Sequence, residues 1–289
     1  MPKHINIFIS LVQTFLMIHS YKNFDLNFIK ISHFGKRRIF SNKYQTEIEM
    51  PIAKFKIHHG EQVLFLGSCF SETISDELKQ RKFKVFSNPQ GILFNPLSIS
   101  SCIERLVEKK FFTQSDLFLD KIDGDTYHSW FHGREFSGID QEDVLNNINH
   151  QIEIGHSHIK NSKALFITLG TSVVYKLISE NLIVSNCHKQ PGKLFEKRIL
   201  NVNEIQDCLL NAFKMLKDFN KNINIVITIS PIRHVRDTLI TNSISKSALI
   251  YSTHSIANIF DYVTYFPSYE IMMDELRDYR WYTLYNPLI

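Results

Sequence analysis

Cysteine and glycine are both scarce in this 289-residue chain, and the scarcity excludes several classes of protein at once. The four cysteines, at positions 69, 102, 187 and 208, are too few and too scattered for a disulfide-stapled scaffold. No two of them form a C-x-x-C knuckle for zinc. A reducing compartment, the cytoplasm, is the simplest expectation. With only ten glycines, the chain contains no G-x-G-x-x-G and no G-x-x-x-x-G-K, and H-E-x-x-H is missing as well. A dinucleotide-binding fold, a P-loop NTPase and a zincin are therefore not expected, and neither a metal nor an organic cofactor is implied.

A basic body is also lacking. Lysine and arginine total 33 against 29 acidic residues, a formal charge of +4. Residues 1–43 hold seven of the basic side chains (Lys3, Lys22, Lys30, Lys36, Arg37, Arg38, Lys43) against Asp25 alone, so the remainder of the chain is slightly acidic. A protein that neutralises phosphates carries its excess on the folded body, so nucleic acid is not expected as a partner. Long apolar runs are absent too. The stretch Ile5–Ile18 is interrupted by Asn6, Ser10, Gln13 and Thr14 and falls short of the roughly 20 apolar residues of a spanning helix, so stable membrane insertion is not expected. The His19-Ser20-Tyr21-Lys22 that follows offers no small-x-small cleavage site. Residues 1–45 read as a basic leader, disordered or from a mis-assigned start, with Met50 as a later start.

From residue 46 to 289 the chain reads as one domain. Gln62–Leu66 is a short apolar run ending at Gly67, the pattern of a strand buried on both faces. Residues 69–82 carry Phe70, Thr73, Ile74 and Leu78 at helical spacing. The alternation continues: a short strand at 85–86, helices over 97–109 and 140–159, a strand at 164–169, a helix over 202–219, a strand at 223–229, a helix over 241–259, and a last strand at 262–265. Buried strands separated by helices imply parallel crossovers and a three-layer α/β/α sheet. In such a sheet ligands bind beyond the carboxyl ends of the strands, and each expected strand here ends in a polar or glycine-bearing segment.

Ser68 follows the first strand by one glycine and opens a helix. That geometry is expected to expose its hydroxyl beside the free N–H groups of a helix N-terminus, which suits a nucleophile; a plain helix-capping serine is the structural alternative. Cys69, beside it, has no local cause for a lowered pKa and is expected to be a small buried residue.

Six segments together resemble the GSCFA domain family: Leu-Gly-Ser-Cys-Phe-Ser at 66–71, Asn-Pro-Gln-Gly-Ile-Leu-Phe-Asn-Pro at 88–96, Leu-Gly-Thr-Ser-Val-Val-Tyr at 169–175, Asn-Cys-His-Lys-Gln-Pro at 186–191, Ser-Pro-Ile-Arg-His at 230–234, and Tyr-Phe-Pro-Ser-Tyr-Glu with Leu-Arg-Asp-Tyr-Arg within 265–280. The family is grouped with the SGNH/GDSL-type hydrolases. The resemblance implies a mainly parallel flavodoxin-like sheet and Ser68 as the nucleophile of a serine ester hydrolase or acyl-transfer enzyme. Its oxyanion would be held by the N–H groups of Ser68 and Gly91, with Thr171 standing where the wider group has an asparagine. Small-molecule or carbohydrate esters would be the substrates. The wider group takes its base from a late D-x-x-H, and no histidine follows Arg277–Tyr282. The domain is thus expected to lack its C-terminal end, to expose apolar area and to be poorly soluble.

His188 and His234 are the substitute bases to consider, each otherwise a histidine that holds loop backbone. Lys189 and Arg233 are candidates for an anionic substrate group, and Asn95 for substrate contact. Asp125-Thr126-Tyr127-His128 spells D-x-x-H but lies in the long connection before the third expected strand and reads as a coincidence. Trp130, Phe131 and His132 are expected either to cover the cleft or to pack the connector. The competing reading is a non-catalytic binding module that keeps the crevice.

Overall fold

The computed structural model describes residues 48–51, 54–121 and 124–276. The basic leader, the run Ile5–Ile18, the Arg277–Tyr282 part of the last motif and Thr283–Ile289 lie outside the described residues. Within them, each helix and strand expected from the sequence is present, with ends moved by no more than two residues. Five strands, β1 (Gln62–Gly67), β2 (Lys84–Ser87), β5 (Ser162–Leu169), β9 (Asn224–Ile229) and β10 (Val263–Phe266), form one sheet in the order β2-β1-β5-β9-β10. Every pairing in it is parallel. The helices are α1 (Cys69–Gln80), α2 (Pro96–Glu108), α3 (Gln141–Asn161), α4 (Val202–Phe219) and α5 (Leu239–Ile259).

Two cores follow from the period-2 alternation of strands that are buried on both faces. On one face Leu64, Leu66, Leu165, Ile167, Ile225 and Ile227 meet Ile103 of α2, Ile152 of α3, Leu209 and Phe213 of α4 and Leu249 of α5. On the other, Val63, Phe65, Phe166, Val226 and Phe266 meet Phe70, Ile74 and Leu78 of α1, with Ile271 and Met272 of the turns after β10. Each such side chain, once buried, contributes about 1.5–3 kcal/mol relative to exposure. The helix ends are specified locally. Asn95 caps α2 before a proline at its first position, and an Asn201–Glu204 capping box opens α4.

The expected scheme omits two antiparallel inserts. Between α2 and α3, β3 (Leu117–Asp120) and β4 (Thr126–Ser129) form a hairpin. Between β5 and α4, β6 (Val173–Leu177), β7 (Leu182–Val184) and β8 (Phe195–Ile199) form a three-stranded sheet ordered β7-β6-β8. Trp130 joins them: its carbonyl accepts the N–H groups of Ser185 and Asn186, and its ring stacks on Phe118 at 3.7 Å between centroids. Packing therefore decides the role of Trp130. His128 lies on β4, within a strand rather than a loop.

The chain passes from β1 to β2 on one side of β1 and then returns from β2 to β5 on its other side. That reversal point is where an open parallel sheet presents a crevice beyond its strand ends. Ser68 stands there.

Candidate functional site

Gly67 makes the turn out of β1 feasible. Its φ is +137°, and a Cβ on it would lie 2.2 Å from the carbonyl oxygen of Thr168, so no other residue fits. Ser68 then occupies the N-cap position of α1 with extended backbone, but its side chain makes no capping hydrogen bond. Two expectations are corrected at this point. The Ser68 hydroxyl is not exposed: the residue is 2% accessible, and Oγ is buried with no hydrogen-bond partner. Cys69 is not buried but exposed, the first residue of the helix facing outward. Partial desolvation still pushes its thiol above the ordinary range, with the Glu72 charge adding to it, and the backbone N–H groups of Phe70 and Cys69 that favour the thiolate do not reverse the shift.

The backbone donors around Ser68 are already engaged. Its own N–H donates to Thr168 O at 3.2 Å, the Gly91 N–H donates to Asn88 O at 2.8 Å, and the Thr171 N–H donates to Phe94 O at 3.1 Å. The Thr171 hydroxyl pairs with Ser245 Oγ at 3.0 Å and accepts the Val173 N–H at 3.0 Å. Gly91 has φ +79°, and a Cβ there would meet Glu135 Oε1 at 2.3 Å and Gly133 N at 2.9 Å, which keeps the β2 end pressed against the hairpin insert. Asn95 has both ends of its carboxamide on Ser98, so its side chain is occupied in capping.

His234, after β9, reaches the same set of strand ends. Its N–H donates to Asn242 Oδ1 at 2.9 Å, its ring stands edge-on to Phe94 at 5.8 Å, and its Nε2 lies 3.3 Å from where a Cβ on Gly170 would be. Burial, then the charge of Lys246, lowers its pKa below the usual imidazole range, with Asp237 and the Gly170 carbonyl opposing. The imidazole is thus neutral at pH 7, the form a base needs. Arg233 is half-buried, with Nη2 3.7 Å from Met273 Sδ.

Lys246 was not singled out by the sequence reasoning. It is 1% accessible, and its ammonium donates to Gly170 O and Ser230 O, each at 2.6 Å, tying the ends of β5 and β9 together. Burial pulls its pKa down to about 7. A signal was present: Asn242, Lys246, Leu249, Thr253 and Ile256 share the buried helical stripe of α5, and a lysine on such a stripe calls for an acceptor.

The other expected base lies elsewhere. His188 is 4% accessible, and its Nε2 meets Ser129 O at 2.8 Å in a cluster held by the two inserts. The His128 ring lies 4.4 Å from it, and His132 pairs through Nδ1 with Ser129 Oγ at 2.8 Å. Burial lowers His188 to about 4 and His132 to about 3. Gln190 Nε2 donates to Asp120 Oδ2 at 2.6 Å beside them. Lys189 is exposed. Among the described residues no group of three or more His, Cys, Asp or Glu is arranged to hold a metal ion.

Most of the segments that resemble one family lie at these strand ends, and the family model described as the GSCFA family matches residues 62–285, well over half of the chain. The chain belongs to the GSCFA family. No curated protein and no solved structure matches it. The GSCFA match runs from β1 through β10, so both inserts and all five ends of the parallel strands lie within the matched region. No helix among the described residues is long and apolar enough to cross a membrane.

Proposed function

We propose that this GSCFA domain is an SGNH-type serine ester hydrolase or acyl-transfer enzyme with Ser68 as its nucleophile. One observation carries the reading. A serine at an N-cap position ordinarily bonds to the free N–H groups of its own helix, yet Ser68 Oγ, fully buried at the N-terminus of α1, has no hydrogen-bond partner among the described residues. A buried hydroxyl left unpaired costs about 1–3 kcal/mol, and such groups persist where function requires them.

The reaction runs in two steps. Ser68 Oγ attacks the acyl carbon of an oxygen ester, the new C–O bond forms as its proton passes to a base, and the alcohol departs with a proton. Water or a second alcohol then releases the acyl group. His234, neutral and at the same strand ends, is the base this reading assigns; it would approach Ser68 on substrate binding, since catalytic hydrogen bonds tighten in the complex. Small-molecule or carbohydrate esters are the substrates, no cofactor is needed, and the surrounding residues must part to admit them.

A second reading is favoured by a separate observation. The N–H groups of Ser68, Gly91 and Thr171 all donate to backbone carbonyls, as they would in a binding module that no longer stabilises an oxyanion. A fluorophosphonate probe separates the two. Labelling of the wild type that is lost in Ser68→Ala supports the hydrolase; labelling that persists in Ser68→Ala removes Ser68 as nucleophile. An unlabelled wild type that still binds an ester ligand supports the module.

A further inference from the structure

The donors expected for an oxyanion are engaged, but two others at the same strand ends are not. Asn88 sits just past β2 in the left-handed region, φ +46°, which asparagine tolerates better than most residues. Its Oδ1 accepts the Gly67 N–H at 2.9 Å, its N–H donates to Phe65 O at 2.9 Å and its carbonyl accepts the Gly91 N–H at 2.8 Å. Two backbone bonds hold residue 88 in place, and the one side-chain bond fixes its carboxamide against the residue that precedes Ser68. With Oδ1 so placed, amide bond lengths keep Nδ2 within about 5 Å of the Gly67 nitrogen. Asn88 is 7% accessible, and Nδ2 is buried with no hydrogen-bond partner. Two residues on, Gln90 is 2% accessible, and its Nε2 is likewise buried and unpartnered.

Buried amide N–H groups are paired in nearly all native structures. Here two carboxamide donors and one hydroxyl, on residues 88, 90 and 68, are each buried without a partner among the described residues, and Asn88 is bonded to Gly67, two residues before the 12-residue helix α1. Among the described residues no carboxylate is hydrogen-bonded to these three atoms, although that of Glu135 lies against Gly91, and the helix N-terminus adds positive potential. This combination fits a group that acquires negative charge.

We infer that the Asn88 side-chain amide, with that of Gln90 as a second donor, holds the acyl oxygen as Ser68 attacks, in place of the engaged N–H groups of Gly91 and Thr171. The inference rests on the hydrolase reading. As the Ser68–acyl bond forms, the carbonyl π pair moves onto oxygen, and Nδ2–H donates to that oxyanion; the bond weakens when the carbonyl re-forms and the alcohol leaves. Such donors act mainly on kcat, because the charge exists only in the transition state.

Asn88→Asp separates donation from positioning: the carboxylate still accepts the Gly67 N–H but offers no donor. With p-nitrophenyl acetate as substrate, Asn88→Asp should lower kcat by about a hundredfold or more with KM little changed and Tm near that of wild type. Gln90→Leu should lower kcat less. In wild type labelled by fluorophosphonate, the Asn88 side-chain amide proton resonance should move downfield as Nδ2 finds the phosphonyl oxygen. This readout needs no variant, so it decides the matter if Asn88→Asp fails to fold. Wild-type kcat in Asn88→Asp, or an unshifted Asn88 amide in protein labelled at Ser68, overturns the inference and leaves Ser68 standing. Absence of both turnover and labelling in wild type removes inference and hydrolase together.

Discussion

Among the described residues, buried polar groups gather at the ends of the parallel strands and where the antiparallel inserts meet, and the two places differ in the kind of group they hold. At the insert junction His128, His132, His188, Asp120 and Gln190 bond to one another's segments: His132 to Ser129 Oγ, His188 to Ser129 O, His128 to Ser137 Oγ, Gln190 to Asp120. At the strand ends, backbone groups are satisfied while the Ser68 hydroxyl and the Asn88 and Gln90 amide nitrogens are not. Histidine density is thus a poor guide to where the chemistry lies. In the insert cluster each of these histidines has one ring nitrogen engaged, while His132 Nε2 and His188 Nδ1 are buried without a hydrogen-bond partner among the described residues; at the strand ends the unpartnered atoms are a hydroxyl and two amide nitrogens, which do not titrate near neutral pH.

The largest expected effect that tests this contrast comes from glycine. Gly67→Ala drives a Cβ to 2.2 Å from a backbone carbonyl at a φ of +137°, and the unbroken pairing from Val63↔Ala164 to Gly67↔Thr168 holds β1 and β5 against the shift that would relieve it. Gly192, in the connection between β7 and β8, has nothing within 4 Å of its Cβ position. Gly67→Ala should cost more than about 4 kcal/mol or prevent folding, and Gly192→Ala less than about 0.5 kcal/mol, measured by urea unfolding. Comparable losses in both would show that the rigidity attributed to the strand ends is not local to them.

Stability against pH should separate the two regions by window. His132 and His188, held near 3 and 4 by burial, bind fewer protons when folded than when unfolded with an ordinary value of 6.5. Their contribution is complete above pH 6.5 and is lost as pH falls, by about 2 kcal/mol each at pH 5. Lys246, lowered to about 7 from 10.5, also binds fewer protons when folded, but between pH 7 and 10.5. It therefore adds stability as pH rises through that range, by roughly 2–3 kcal/mol at pH 9 relative to pH 7. His188→Asn should flatten the acid window by about half, and Lys246→Met should flatten the alkaline one alone. If each variant flattened both windows, the two regions would be energetically one.

The parallel half of the fold was legible because its strands are predominantly apolar runs, INIVITI and ALFITL, and its helices carry unmistakable stripes such as Ile205, Leu209, Ala212, Phe213 and Leu216. The inserts were not. Their strands are three to five residues long, and β8 reads Phe-Glu-Lys-Arg-Ile, without a consistent apolar face. The position of Ser68 could be read from a glycine between a strand and a helix; its burial could not, since that depends on what packs over the strand end. Asn88 and Gln90 look like ordinary turn residues in the sequence. Only the pattern of satisfied and unsatisfied donors sets them apart, and that pattern exists only once the chain has folded.

The smallest expected effect sits one residue from the largest claim. Ser68 and Cys69 are adjacent, and the side chain that was expected to be buried is the exposed one. An exposed thiol raised by partial desolvation reacts slowly with iodoacetamide at pH 7 and faster as pH climbs. Cys102, fully buried and pushed up to about 12, should not react in the folded protein. Cys69→Ser should change unfolding free energy by less than about 0.5 kcal/mol and leave phosphonate labelling of Ser68 intact, because an outward-facing helix position carries little packing. If iodoacetamide stops turnover of the wild type and Cys69→Ser is inactive while Ser68→Ala is not, the nucleophile is the exposed sulfur. The unpartnered hydroxyl beside it would then be a packing defect rather than a reactive group.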